Sequence, residues 1–199
     1  MLTPRAVHVF AIVAAIFAIG IAAAAAQGQG ASLQQKATTL TFGGKTYVHR
    51  WSKDGQNEYT QPSETDLDRW RDMVTINVNE SVRNGDQLAV MANSILANYQ
   101  KHGKIVRTDS KPRTPQRPAE HLIVALLGNA TLLEAAFARI VLIDGVGVAA
   151  VYSHRVYGKD AAAPIGDWLQ TNGPTIEETL MTWDKIPSPA ALKQLPQSR

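Results

Sequence analysis

Three histidines, His49, His121 and His154, fall in stretches that read as β-strands, and a fourth, His102, closes a helical pattern. Imidazole suits acid-base work near neutral pH and is a common metal ligand, but either role needs neighbours. No His-x-His or His-x-x-x-His pair occurs, so the usual ligand spacing is missing. Ser153-His154 and Glu120-His121 set a nucleophile and an acid beside a base, yet adjacent strand residues point to opposite faces, so neither is a local dyad. Gly-x-Ser-x-Gly, Walker, dinucleotide and His-Glu-x-x-His motifs are all absent. The chain has no Cys, which removes thiolate nucleophiles, thiolate metal sites and disulfides. No catalytic set, metal or cofactor is expected, and an enzyme would have to gather its residues from distant strands.

Rings with polar tips are what the strand faces do collect. Tyr47, His49 and Trp51 alternate along one hairpin, and Phe137, Tyr152 and His154 share a face of another. Such a set is either an aromatic core with its tips satisfied or a pocket that orients a small apolar ligand. Both need the two faces to meet. If there is a pocket, His154 lines it with Tyr152 and at least one of Tyr47, His49 or Trp51, while Arg155 faces away.

The elements that position these rings are read from turns and periodicity. Asp144-Gly145 fits a two-residue type I′ turn between apolar runs, which puts Ile143 opposite Val146, Phe137 opposite Tyr152 and Glu134 opposite Arg155. One face then holds Phe137, Val141, Ile143, Val146, Val148, Tyr152 and His154. The other holds Ala136, Ala138, Ile140, Leu142, Ala149 and Val151, small enough to let a helix lie close. Gly43-Gly44 turns a second hairpin, pairing Phe42 with Lys45 and placing Leu40, Phe42, Tyr47, His49 and Trp51 on its buried face. Asn57 to Thr60 can form a short strand, Ser63 caps a short helix carrying Leu67 and Trp70, and Val74, Ile76 and Val78 alternate in a half-buried strand. Leu88, Met91, Ala92, Ile95, Leu96 and Tyr99 recur at helical spacing over about 85–102, opened by Asn84 and Gln87 as a capping box. A strand at 104–110 and the basic, Pro-broken loop KPRTPQRP follow; without interleaved aromatics the loop reads as solvated rather than nucleic-acid-binding. EHLIVALLG is apolar on both faces, as a central strand or a buried helix would be. Two C-terminal helices are expected, one with Ile165, Trp168 and Leu169 inward, the next opened by Thr175 and Glu178 with Ile176, Leu180 and Trp183 on one side. The sum is an α+β fold, a single antiparallel sheet packed with a long amphipathic helix and C-terminal helices.

Residues 1–26 have Arg5 as their only charge, an apolar run and an Ala-rich end, the pattern of a secretory signal peptide cleaved near Ala26. Because much of the run is weakly apolar Ala, cleavage is expected rather than an uncleaved membrane anchor. Residues 27–37 read as a flexible leader, 38–186 as one domain, and the Pro-rich 187–199 as a loose tail. The remaining chain of about 170 residues can bury a sizeable core. Its charge balance, 19 basic against 17 acidic residues once Arg5 is gone, argues against nucleic acid or anionic membrane as a partner. A Cys-free exported chain suits a bacterial periplasm.

The segments YVHRWS, DRWRDMVTINV, PAEHLIVALLG, AAFAR, DGVGVAAVYSHR and WLQTNGP resemble a group of uncharacterised exported proteobacterial proteins, which implies a cellular address and no mechanism. The order of elements is also similar to Mog1/PsbP-like sandwiches, in which a long helix precedes antiparallel strands; this is an analogy of architecture. The expected function is non-catalytic binding of a protein or a small apolar ligand. The alternative is a small hydrolase-like or metal-dependent enzyme using His154, His49 or His121 with a distant carboxylate. Oligomeric state is left open.

Overall fold

A computed structural model describes residues 38–198, so the signal peptide and leader expected at 1–37 lie outside the described residues. The strands are β1 (Thr39–Phe42), β2 (Lys45–Lys53), β3 (Gln56–Thr60), β4 (Asp72–Asn79), β5 (Gly103–Lys111), β6 (Glu120–Gly128), β7 (Leu132–Ile143) and β8 (Val146–Tyr157). The helices are α1 (Gly85–His102), α2 (Ala162–Thr182) and the short α3 (Pro189–Leu192). All eight strands form one antiparallel sheet in the order β1-β2-β3-β4-β8-β7-β6-β5. Two four-stranded meanders therefore meet along β4 and β8, and α1 carries the chain from the middle of the sheet to its far edge.

Turn chemistry sets the register. Asp144 and Gly145 have φ of 50° and 72°, the left-handed values a type I′ turn requires, and the β7–β8 pairs run from Ile143↔Val146 through Phe137↔Tyr152 to Glu134↔Arg155, as expected. Gly43-Gly44 likewise pairs Phe42 with Lys45. A third turn of this kind, Asp54-Gly55, joins β2 to β3.

The two faces are covered differently. On one, α1 sets Leu88, Met91, Ala92, Ile95 and Tyr99 against Ala136, Ala138, Ile140, Ala149 and Val151, where the small side chains admit a close helix. Asn84 caps α1 by accepting the Gln87 N–H at 2.9 Å, while the Gln87 side chain reaches back one residue further than expected, to the Arg83 N–H at 2.7 Å. On the other face, α2 and the C-terminal residues cover Phe42, Tyr47, Val74, Ile76, Phe137 and Tyr152. β6 is a strand buried on both faces, which accounts for its unbroken apolar run.

Four expectations are corrected. Residues 61–71 form turns rather than a short helix, although Trp70 is buried; their backbone is held by the Glu64 carboxylate, which accepts the Arg71 N–H at 2.8 Å. The two C-terminal helices are one, α2, which runs through Pro174. Pro lacks one helical N–H, but apolar residues on both sides of it, Ile165, Trp168, Ile176 and Leu180, bury against the same sheet face and hold the axis together. The C-terminal segment is not loose: α3 is capped by Ser188, and Ala191, Leu192 and Leu195 are buried in the core. The Ser198 N–H donates to the Ser52 carbonyl at 2.7 Å, tying the end of the chain to β2. Finally, a bulge in β2 between His49 and Trp51 changes the face on which Trp51 lies.

Candidate functional site

A buried polar cluster lies inside the second face, at the seam of the two meanders. Pairing of β4 with β8 sets Asp72 opposite His154 and Val74 opposite Tyr152. Cross-strand partners share a face, so the Asp72 carboxylate comes between the Tyr152 phenol and the His154 imidazole. Oδ1 accepts from Tyr152 Oη at 2.8 Å and from His154 Nδ1 at 2.7 Å, and Oδ2 accepts from Gln61 Nε2 at 2.8 Å. A carboxylate only accepts, so Nδ1 of His154 carries the hydrogen. Lys45 Nζ stands 3.8 Å from Oδ2 at the solvent side.

Burial opposes the charged form of Asp72, but the hydrogen bonds from His154 and Tyr152 and the electrostatic attraction of His154 and Lys45 outweigh it, and its pKa lies below the ordinary value. The same burial, with the Asp72 charge next, pushes the Tyr152 phenol well above its usual range. Tyr47 is raised in the same way, by burial and then by Asp72 and Glu64. Neither phenol supplies a phenolate at physiological pH.

The rings around this cluster are packed against one another. His154 lies flat on Trp168 of α2, centroids 4.0 Å apart and planes 4° apart. Tyr152 stacks on Phe42 at 5.2 Å and on Trp168 at 6.3 Å, and Phe137 meets Tyr152 at 6.3 Å and Trp168 at 6.2 Å. Phe42 also meets Trp183 edge-on at 5.2 Å. β1 is four strand positions from β8, on the order of 19 Å across a flat sheet. The Phe42–Tyr152 contact thus shows that the sheet curls until its first hairpin closes over the face.

The six ring residues expected to gather are brought together in part. Phe137, Tyr152 and His154 share the face as expected, and Tyr47 lies in the same core cluster as Phe137 and Tyr152. His49 points to that side but meets Tyr59, edge-on at 5.4 Å, and hydrogen-bonds Ser52 Oγ at 2.7 Å. Burial lowers its pKa, offset in part by a backbone hydrogen bond at Trp51. Trp51 is excluded: it pairs with Glu58 whereas His49 pairs with the adjacent Tyr59, so the bulge has turned it to the opposite face. His121, on β6, shares a cross-strand pair with Ser110 at the other end of the sheet. Arg155 faces away, as expected; its Nε donates to Glu134 at 2.8 Å and its guanidinium lies 3.8 Å over Trp70.

Asp72 and Trp168 were missed as partners of His154, Gln61 as a partner of Asp72, and Arg139 altogether. This buried arginine holds Glu120 with Nε at 2.9 Å and Nη2 at 2.7 Å, and its Nη1 donates to the Leu180 and Trp183 carbonyls at 3.0 and 2.9 Å. It therefore gives the Leu180 carbonyl, which already takes the Trp183 N–H at 3.3 Å, a second donor, and supplies one to the carbonyl of Trp183 just past the end of α2. Asp72 was legible only as the residue before an alternating strand read over 73–79. Among the described residues no group of three or more His, Cys, Asp or Glu side chains is placed to hold a metal ion. The Tyr59 hydroxyl and the Trp183 indole N–H are buried without a hydrogen-bond partner among the described residues.

Chemically, Asp72 orients His154 as the acid of a hydrolase triad orients its base. The third member is missing from this arrangement: the hydroxyl at hand, Tyr152, donates to Asp72, and no described side chain hydrogen-bonds His154 Nε2.

No known family's sequence profile matches the chain, and no curated protein matches it. Among solved structures it is similar to the Ran-binding protein Mog1p of Saccharomyces cerevisiae, with a TM-score of 0.35 and 10% identity over 76% of this chain and 84% of that one. It is also similar to a mutant of Mog1, with a TM-score of 0.37 and 11% identity over 78% and 87% of the two chains.

Proposed function

We propose that the chain is an exported, periplasmic protein that binds a partner protein and carries out no chemistry of its own. The observation that carries the reading is how Asp72 is used: its oxygens are taken by Tyr152, His154 and Gln61, and the imidazole it orients lies flat against Trp168. Of the side chains that suggested a small-ligand pocket, Phe137, Tyr152 and His154 pack against one another or against Phe42 and Trp168, which favours the outer surface as the place of recognition. Export is supported by the signal-peptide pattern of residues 1–26. Among the described residues no helix is long and apolar enough to cross a membrane.

The test is recovery of the protein from its native host by crosslinking in the cell envelope, with mass spectrometry of attached chains and N-terminal sequencing. A first residue near Gln27 and one protein recovered reciprocally are expected; a retained Met1 in a membrane fraction, or a chain recovered alone, overturns the reading. The Asp72–His154 pair favours a second reading, a hydrolase whose nucleophile is water or the substrate itself. Turnover of p-nitrophenyl esters that is abolished by His154→Ala would establish it.

A further inference from the structure

We propose that the free edge of β5 is a docking site for an acidic, extended segment of a partner protein, which adds to the sheet as a further strand. The inference rests on the protein-binding reading above and names its surface. β5 is the last strand of the sheet, so every second N–H and C=O along it points away from β6, and no described strand takes them. It is nine residues long, and all of them but Ile105 are exposed. The opposite edge, β1, has only four residues. A long, uncovered edge invites pairing with any extended chain, and β-augmentation is the recognition mode it serves.

Charge narrows the choice. Residues 101–117 hold six of the chain's 20 Lys and Arg, namely Lys101, Lys104, Arg107, Lys111, Arg113 and Arg117, and one of its 17 acids, Asp109. That stretch is +5 in a chain of +3, so the rest nets −2. Asp109 is occupied locally, accepting from Arg107 at 3.0 Å and from the Ser110 N–H at 2.7 Å. Arg107 also meets Glu177 at 3.3 Å, and Lys111 meets Glu120 at 3.5 Å. Lys101, Lys104, Arg113 and Arg117 have no acidic partner among the described residues.

A bulge between Ile105 and Arg107 aims this charge. Arg107 pairs with Val124, so it lies on the same face as Lys104 rather than beneath α1 with Ile105. A strand that adds here finds open backbone groups along its length and cations on one side. A second basic edge is repelled, which protects the protein from pairing with itself. Nucleic acid fits less well, since residues 101–117 include no Phe, Tyr or Trp on which a base would stack and bases do not continue a β-ladder.

The test uses the purified protein and a fluorescein-labelled ten-residue peptide of alternating Val and Glu. Its controls are the same peptide with alternate amides N-methylated, a Val-Lys peptide, a 20-nucleotide single strand of DNA and phosphatidylglycerol vesicles. The Val-Glu peptide is expected to bind, to weaken with added salt, and to slow amide exchange at residues 104–111. The exposed pair of reversals Lys104→Glu and Arg113→Glu should weaken it by about tenfold. The N-methylated and Val-Lys peptides should not bind. Equal binding of the N-methylated peptide, DNA or vesicles reduces the site to a charged surface and overturns the proposal. Amides 104–111 already protected in the free protein overturn it as well, because the edge would then not be open. A native partner that still binds the double-reversal variant sinks the β5 site but leaves the protein-binding reading intact; peptide binding in a protein with no native partner does the opposite.

Discussion

Replacing Asp72 by Ala tests whether the seam cluster stabilises the fold. Two of its donors, Tyr152 Oη and His154 Nδ1, belong to residues only 4% and 6% exposed, so removing the carboxylate strands both away from water. A stranded buried donor costs about 1 to 3 kcal/mol, which gives about 2 to 6 kcal/mol for the pair. Gln61 is only half-buried and can turn to solvent, and Lys45, 57% exposed, adds a surface pair of less than about 1 kcal/mol. Losing a buried charge returns part of its desolvation cost, so we expect a net loss of about 3 to 4 kcal/mol, a large share of a typical domain's stability. Urea unfolding of the wild type, Asp72→Ala, Tyr152→Phe and the double variant measures this directly. Tyr152→Phe removes a donor and leaves the carboxylate satisfied, so it should cost about 1 kcal/mol. Asp72→Ala should then cost at least about 1 kcal/mol less in the Tyr152→Phe background, where no hydroxyl is left stranded. A loss below about 0.5 kcal/mol, or strict additivity, would refute the account. The pH dependence has a definite sign: the folded pKa of Asp72 is depressed, so its contribution is complete above the unfolded value of about 3.9 and is lost as pH falls through the lower folded value.

Other variants probe the framework. Leu88→Ala or Ile95→Ala should each cost about 2 to 5 kcal/mol by the same assay, because both lie buried between α1 and the sheet. Gly103→Ala should destabilise strongly and loosen β5 in amide exchange, since an added Cβ would lie 2.1 Å from the Leu126 carbonyl oxygen where α1 passes straight into β5; unchanged exchange would mean the backbone moves aside. Arg139→Ala should cost about 3 to 5 kcal/mol by removing the buried guanidinium that holds Glu120 and the Trp183 carbonyl, while Arg139→Met keeps the stem and loses less.

The residues that announced their structure did so through short-range rules. Asp144-Gly145 determines a turn, the turn determines a register, and the register places Phe137, Tyr152 and His154 on one face with no tertiary information needed. The α1 stripe was legible for the same reason. Asp54-Gly55 carried the identical dipeptide signal and could have revealed the β2–β3 hairpin, but β3, QNEYT, is polar while wholly buried. Its side chains are satisfied by contacts no pattern displays, such as Asn57 Nδ2 to the Ile76 carbonyl at 3.0 Å and Ser52 Oγ to Asn57 Oδ1 at 2.7 Å. Trp51 was misplaced because one extra residue in a bulge reverses alternation and leaves no mark in hydropathy. Asp72 and His154 are 82 positions apart, and only the choice of β4 as the neighbour of β8 brings them together.

That seam is the one place in the sheet where strands distant in sequence pair; every other ladder joins consecutive strands. Each half can form from near-neighbour contacts, whereas joining β4 to β8 closes a loop from Asn79 to Gly147 and costs on the order of 3 to 4 kcal/mol in chain entropy. Within one molecule the halves are tethered and closure wins. At high protein concentration the first half of one copy can close on the second half of another through the same ladder, with α1 as the exchanged connection. The product is a domain-swapped dimer in which each Asp72 bonds His154 and Tyr152 of the partner copy, and refolding from concentrated solution is where it should accumulate.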